Sequence, residues 1–201
     1  MEGRDDVTQP PDAPANSLNA RLLETAALKP EAPALTSLGR TWSYGELADR
    51  SRRIAEALAR LEVGPDKRLG LLLPPVPTVA MAGWAGLRLG ACVVPCDPTA
   101  RGAPLATRLA DVGAGVLVTL DLTRLQQRWL EHLETSPLDA VVVDKMSELL
   151  PFPRNLMAPL MRGGELAALP RHARTAALPR LLAAEGARGE VDVDAARAEL
   201  Q

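Results

Sequence analysis

The sequence predicts an α/β protein with a mostly parallel sheet flanked by helices. Short apolar runs without polar alternation, at residues 68–73, 91–96, 116–119 and 140–143, have the composition of strands that are covered on both faces. Amphipathic or apolar helical segments separate these runs. Because parallel strands need a crossover connection and both faces of their sheet need cover, this alternation predicts βαβ units.

The first element is predicted to be a helix. Leucine and alanine recur at helical spacing over residues 18–26, and either Asn16 or Ser17 is suited to cap the N-terminus. Pro30 cannot donate a backbone hydrogen bond, so the helix should end before it.

A hairpin followed by a second helix is predicted next. Extended segments at residues 33–37 and 40–42 are separated by a Leu-Gly turn. Ser43 and Glu46 then form a capping-box pattern, in which the serine hydroxyl accepts the Glu46 N–H and the carboxylate accepts the Ser43 N–H. The helix that starts there has one apolar face and should stop at Gly64.

An uncharged stretch at residues 69–87 is as long as a transmembrane helix requires. Pro74, Pro75 and Pro77 interrupt it, and each proline disfavours a helix at the residue before it. We therefore predict a buried strand, a turn and a deeply buried helix near residues 78–89, and no transmembrane segment.

The rest of the chain is predicted to repeat the unit of a buried strand and a helix, and then to depart from this pattern. Helices are expected near residues 104–112 and 122–133, on either side of a buried strand. After Asp144 the pattern changes, and alanine, arginine, proline and glycine dominate from residue 162 onward. We expect a disordered leader at residues 1–16, a partial α/β subdomain at 17–161 and a weakly structured connection at 162–201.

Composition excludes several classes of function. The formal net charge of −2 and the absence of a long block of like charges argue against nucleic-acid binding. Cys92 and Cys96 are too few for a disulfide framework or a zinc site, and both are predicted to be small core residues on a strand. Residues 1–16 contain no apolar signal segment, so we predict a cytoplasmic protein, with peripheral membrane contact left open.

The residue types that usually perform catalysis form no recognisable pattern here. His132 and His172 lie in polar surroundings, without the cysteine, histidine or glutamate neighbours that a metal site needs. Gly83, Gly86 and Gly90 lie in and after a predicted helix rather than before one, so they indicate close packing and not a dinucleotide site.

Asp97 has two interpretations. It follows a predicted parallel strand, at the edge where open α/β sheets bind ligands. It also precedes a proline, and an aspartate there can bond backbone N–H groups two residues on, which is the interpretation we favour. Trp42 and Tyr44 are expected to pack against the capped helix.

Three segments together resemble the N-terminal part of the adenylate-forming acyl-CoA synthetases. These are TWSYGEL at residues 41–47, RLGLLLPPVP at 68–77 and LRLGACVVPCDP at 87–98. Pro75 stands where that family usually has asparagine, and Arg88 where it usually has lysine. The later segments GAGVLVTLD and DKMSELLPFPRNLMAPLMR are most similar to bacterial long-chain fatty-acid CoA ligases.

The resemblance covers roughly residues 17–162 and implies the incomplete N-terminal portion of the large domain of such an enzyme. The family joins a carboxylate to ATP, giving an acyl-adenylate, which the thiol of coenzyme A then attacks. A complete enzyme would therefore use fatty acid, ATP, Mg and CoA. The family's phosphate loop, rich in Ser, Thr and Gly and ending in lysine, is absent from this sequence, and residues 192–201 resemble the segment that precedes it.

The resemblance therefore gives this chain no catalytic, cofactor-binding or metal-binding residue, and we expect it to bind no cofactor and to be inactive by itself. An incomplete sheet should expose an edge and apolar patches, which implies the remainder of the enzyme or a second copy as partner. Two functions stay open: the N-terminal part of a long-chain fatty-acid CoA ligase, and a non-catalytic binding or interaction domain with the same half-fold.

Overall fold

The fold is taken from a computed structural model of the chain. It describes residues 17–99, 105–131, 133, 138–161 and 165–184. The predicted leader at residues 1–16 and the end of the predicted connection, residues 185–201, lie outside the described residues, as does His132.

The N-terminal elements follow the predicted order. Helix α1 (Leu18–Leu28) begins at Ser17, whose hydroxyl accepts the Ala20 N–H at 3.1 Å. Strands β1 (Pro33–Ser37) and β2 (Arg40–Ser43) then pair in an antiparallel hairpin. Both turn residues between the strands have positive φ, 55° and 82°, as a tight two-residue hairpin turn requires.

Helix α2 (Tyr44–Ala59) starts at the predicted capping box. The Ser43 hydroxyl accepts the Glu46 N–H at 3.2 Å, and the Glu46 carboxylate accepts the Ser43 N–H at 2.9 Å. The apolar face of α2 is buried, with Ile54 and Leu58 at most 1% exposed. This helix lies in the middle of one layer, in contact with α1, the hairpin and later helices.

A five-stranded parallel sheet forms the core, which confirms the predicted fold class. Its strands are β3 (Arg68–Leu72), β4 (Val93–Cys96), β5 (Ala114–Leu120), β6 (Ala140–Asp144) and β7 (Thr175–Ala177). Their order across the sheet is β4-β3-β5-β6-β7, and every neighbouring pair is parallel. Every residue of β5 and β6 is buried, because helices cover both faces of the central strands.

Six helices follow α2 in the described part of the chain. They are α3 (Pro77–Arg88), α4 (Leu105–Asp111), α5 (Thr123–Leu130), α6 (Met146–Leu149), α7 (Arg154–Met161) and α8 (Leu178–Ala183). Helix α3 packs with α1 and α2, whereas α4 packs with α5. In the described residues no helix combines the length and the apolar character that crossing a bilayer would take.

The strand and the helix around residues 87–96 differ from their prediction. Cys96 is buried, but Cys92 precedes β4 and is exposed, so only one of the two cysteines is a core residue. The reason is that β4 is an edge strand, and its Pro95, which cannot donate a ladder hydrogen bond, is exposed. Helix α3 is also less uniformly buried than predicted, since Leu87 is 39% exposed.

Part of the segment predicted as a weakly structured connection is folded onto the domain. Strand β7 extends the sheet beside β6, and Leu178 at the start of α8 is fully buried. Arg60 and Arg53 of α2 donate to the carbonyl oxygens of Leu181 and Leu182, at 2.6 and 3.4 Å. The sequence did not predict this strand because its three residues, Thr-Ala-Ala, form no apolar run.

Candidate functional site

The carboxyl edge of the sheet is where the strand order reverses. The chain passes from β3 to β4 on one side and then back past β3 to β5 on the other. Because parallel crossovers are right-handed, the helices that connect these strands lie on opposite faces and leave a crevice between β3 and β5. Ligands of open α/β folds bind in such crevices, and Asp121 and Asp144 are polar residues at the same edge, at the ends of β5 and β6. The cleft described below lies farther along the sheet, beside β7.

Asp144, at the end of β6, is tied to the start of α3. Its carboxylate accepts the Thr78 hydroxyl at 2.6 Å and the Lys145 backbone N–H at 2.9 Å. Burial raises the pKa of Asp144, while the Thr78 hydrogen bond and the positive charge of Arg50 act in the opposite direction. Asp144 is only 2% exposed and Thr78 is fully buried, so this pair joins two elements and does not face a ligand.

Asp121 directly follows β5, one residue beyond the position in register with Asp144, and is half-buried. Its carboxylate accepts the Met146 backbone N–H at 2.7 Å, and its own N–H donates to the Asp144 carbonyl at 3.0 Å. Burial raises the pKa of Asp121, and the Met146 hydrogen bond and the Lys145 charge partly offset this. Asp121 thus organises the turn into α6 and also reaches the surface of a cleft.

The cleft has a volume of about 500 Å³ and lies beside β7, next to the carboxyl ends of β5 and β6. Its walls are the loop that leads into β7 and the start of α8. The lining residues are Asp121, Val143, Lys145, Ala167, Ala168, Leu169, Pro170, Arg171, His172, Ala173, Thr175, Ala177 and Arg180. A volume of this size is in the range of small-molecule sites.

The loop that forms the wall is fastened to the segment after β5. The Ala167 N–H donates to the Asp121 carbonyl at 2.9 Å, and the Gln126 side chain donates to the Ala168 carbonyl at 2.9 Å. Leu122 and Leu166 form an isolated antiparallel bridge. The cleft is therefore built from distant segments of the chain, 42 residues apart at the Gln126–Ala168 contact, held by backbone and side-chain hydrogen bonds.

Of the residues that the sequence singled out, His172 lies in this cleft. It is half-buried rather than solvated, and its Nδ1 accepts the Arg174 backbone N–H at 3.1 Å. Asp97 forms the predicted turn, since its carboxylate accepts both the N–H and the hydroxyl of Thr99 at 2.7 Å. Trp42 is buried beneath the Arg40 guanidinium, which lies 3.5 Å from the ring centre.

The glycines of α3 have different surroundings. A Cβ on Gly86 would lie 2.6 Å from Val93, so close packing is correct there, whereas nothing lies within 4 Å of Gly83. Gly90 has a φ of 71° and ends the helix in the left-handed region.

Within the described residues, no three histidine, cysteine or carboxylate side chains converge as a metal site would need.

The sequence does not identify Lys145, Arg171 and Arg180 as residues of one site. A signal existed for Lys145, because it directly follows a predicted strand. The two arginines carried no such signal, since β7 itself was not predicted. What the cleft offers chemically is positive charge and hydrogen-bond donors, with four alanines among the lining residues.

Comparisons with known proteins agree with the fold. The sequence model of the AMP-binding enzyme family matches residues 22–155. A long-chain-fatty-acid–CoA ligase from Bacillus subtilis (strain 168) is 25% identical over 147 residues, which is 73% of this chain and 26% of that ligase. Surfactin synthase subunit 1 from the same strain is 31% identical over 130 residues, 65% of this chain and 3% of the subunit.

Solved structures show the same architecture. A benzoate CoA ligase from Burkholderia xenovorans LB400 superposes with a TM-score of 0.58 at 22% identity, over 75% of this chain and 29% of that one. The chain thus spans about a quarter of the length of the ligases that it matches. Since the family match includes the hairpin, the capped helix and the first four strands of the sheet, this chain belongs to the AMP-binding enzyme family.

Proposed function

We propose that this chain is the N-terminal part of a long-chain fatty-acid CoA ligase, which forms an acyl-adenylate from ATP and then an acyl-CoA. The observation that carries this proposal is the extent of the match. The similarity to the fatty-acid ligase reaches over 73% of the chain, compared with 65% for the surfactin synthase subunit. Benzoate CoA ligase and peptide synthetases match this chain too, so the choice of a long-chain fatty acid as the acyl substrate is the part of the proposal that goes beyond the family.

In this proposal, the catalytic residues lie in the remainder of such an enzyme. Residues 17–161 supply most of the partial α/β subdomain, and β7 and α8 add a further strand and helix to it. The sequence contains no Ser/Thr/Gly-rich loop that ends in a lysine, which would cradle the phosphates of ATP. We therefore assign no catalytic or Mg-binding residue within the chain and propose that the 201-residue polypeptide is inactive alone.

A chimera tests whether this half-fold supports catalysis. Residues 17–161 replace the matching N-terminal region of the Bacillus subtilis ligase, and ATP–pyrophosphate exchange is measured with palmitate. We expect exchange from the chimera and none from the isolated 201-residue chain. Exchange by the isolated chain would contradict its proposed inactivity. The same ligase with its N-terminal region deleted is the negative control.

The alternative function is a non-catalytic interaction domain with the same half-fold. One observation favours it: Phe152, Leu156 and Met157, close together on and before α7, are 78%, 67% and 47% exposed. In the ligase proposal, the remainder of the enzyme covers these side chains. A chimera that is folded by circular dichroism but shows no exchange would favour the interaction domain instead.

A further inference from the structure

Three cationic residues from separate elements line the cleft beside β7. Lys145 directly follows β6, Arg171 lies on the loop that leads into β7, and Arg180 lies in the first turn of α8. In the described part of the chain, none of these three side chains makes a hydrogen bond or an ion pair. All three are exposed, so their charged groups are accessible to a ligand in the cleft.

The wall that carries Arg171 has a fixed backbone. The Thr175 hydroxyl lies 2.9 Å from the Pro170 carbonyl, and the Thr175 N–H donates to the His172 carbonyl at 3.0 Å. The His172 N–H donates to the Pro170 carbonyl at 3.1 Å. A wall that is already ordered loses little conformational entropy when a ligand binds.

The His172 ring also takes part in ordering this wall. Because its Nδ1 accepts the Arg174 N–H at 3.1 Å, the neutral ring carries its proton on Nε2.

Negative charge in the cleft is limited to one group. Asp121 is the one carboxylate among its lining residues, and that carboxylate already accepts the Met146 N–H at 2.7 Å. Alanines at positions 167, 168, 173 and 177 line the remaining surface and leave space between the cations. A concave surface with cations from three elements and one counter-charge attracts an anion with several acceptor oxygens.

We propose that this cleft binds a small phosphate-bearing anion, with Lys145, Arg171 and Arg180 as its charge partners. Guanidinium groups suit phosphate because their donors match two of its oxygens at once, and the lysine adds a point charge. This inference is independent of the proposed ligase reaction, because it concerns binding by residues that the chain itself contains.

An amide chemical-shift titration of the 201-residue chain tests the proposal at constant ionic strength. The probes are inorganic phosphate and adenosine monophosphate, and sodium chloride alone is the reference. We expect saturable shifts at Lys145, at residues 171–173 and at Arg180. Equal affinities would identify the phosphate group as the whole ligand, and tighter binding of the nucleotide would show that the base is also recognised. No saturation with either probe would overturn the proposal.

Matched charge variants locate the site. Arg171→Gln and Arg180→Gln should each weaken phosphate binding about tenfold, since each removes one charge-assisted contact. Arg21→Gln, on the exposed face of α1, makes the same change in net charge and should leave the affinity unchanged. Equal losses in all three variants, in chains with wild-type circular dichroism, would mean that only net charge attracts the anion and would overturn the site.

Discussion

Asp144 is an ionisable side chain that the fold holds almost completely out of water, with 2% of its surface exposed. Its burial raises the pKa of the carboxyl group, and the Thr78 hydrogen bond only partly offsets this. The folded state therefore binds a proton at a higher pH than the unfolded state does. The contribution to stability is fully present below the ordinary aspartate pKa, and it is lost as the pH rises through the raised pKa of the folded state.

Asp144→Asn should remove this pH dependence. The amide can donate to the Thr78 hydroxyl and accept the Lys145 N–H, so both hydrogen bonds keep a partner. We expect the variant to be at least as stable as the wild type at pH 7, because no buried charge has to be desolvated. In urea unfolding, the wild type should gain more stability than the variant between pH 7 and pH 5.

Thr78→Val provides the complementary measurement. It leaves the buried carboxylate without its hydroxyl donor and should cost about 1.5–3 kcal/mol at pH 7. The cost should be smaller in the Asp144→Asn background, because an amide needs the donor less than a carboxylate does. Asp111→Asn, at an exposed helix end, is the control. A steeper pH dependence in Asp144→Asn would contradict the assignment.

For single residues, the sequence predicts hydrogen-bonding caps better than it predicts burial. The Ser43 capping box and the Asp97 turn were predictable because their partners lie two or three residues away. The burial of Asp144 and the exposure of Cys92 were not, because they depend on where α3 and the sheet edge lie. Arg88 is similar: its position in a helix is evident from sequence, but its 4% exposure is not.

Helix α3 approaches the sheet through a glycine. A Cβ at Gly86 would lie 2.6 Å from the Val93 side chain and 3.0 Å from that of Leu69, on the two strands that α3 connects. Three residues earlier in the same helix, Gly83 has nothing within 4 Å of such an atom. A substitution at Gly83 therefore changes helix propensity alone, whereas one at Gly86 also changes the packing of α3 against the sheet.

Gly86→Ala and Gly83→Ala should change stability in opposite directions. Alanine favours a helix over glycine by about 1 kcal/mol, and Gly83→Ala should gain up to that amount. Gly86→Ala should instead lose about 1–3 kcal/mol, because overpacking at the sheet outweighs the propensity gain. Chemical denaturation of both variants checks this. A stabilised Gly86→Ala would show that α3 can move away from β3 and β4 without cost.

The elements that sequence predicts well are those whose signals are local. Strands β5 and β6 are continuous apolar runs, α1 ends before Pro30, and α4 ends close to residue 112, as predicted. Helix α2 is the exception: it ends at Ala59, before the predicted stop at Gly64, and the chain turns at Glu62, whose φ is 61°. Strand β7 has no such signal, because its place is set by pairing with β6 and by the contact of α8 with α2. The cleft could not be predicted for the same reason, since one of its walls follows from β7.

The whole molecule has a graded distribution of burial across its sheets. The central strands β5 and β6 are buried at every residue, whereas the edge strand β4 contains one buried residue in four. The β1–β2 hairpin forms a separate two-stranded sheet. Because local opening requires few lost contacts at an edge, stability should be highest at the centre and lowest at β4 and the hairpin.

Native-state hydrogen exchange of the wild type and Leu178→Ala tests whether β7 and α8 belong to the same cooperative unit as β5. Leu178 is fully buried, and its truncation should cost about 2–5 kcal/mol. If unfolding of the sheet is cooperative, the amides of β5 and β6 should exchange faster by the same factor in the variant. The amides of β4 open locally and should keep their wild-type rates. Faster exchange confined to β6 and β7 would instead mean that residues 175–183 unfold independently, as a loosely attached connection would.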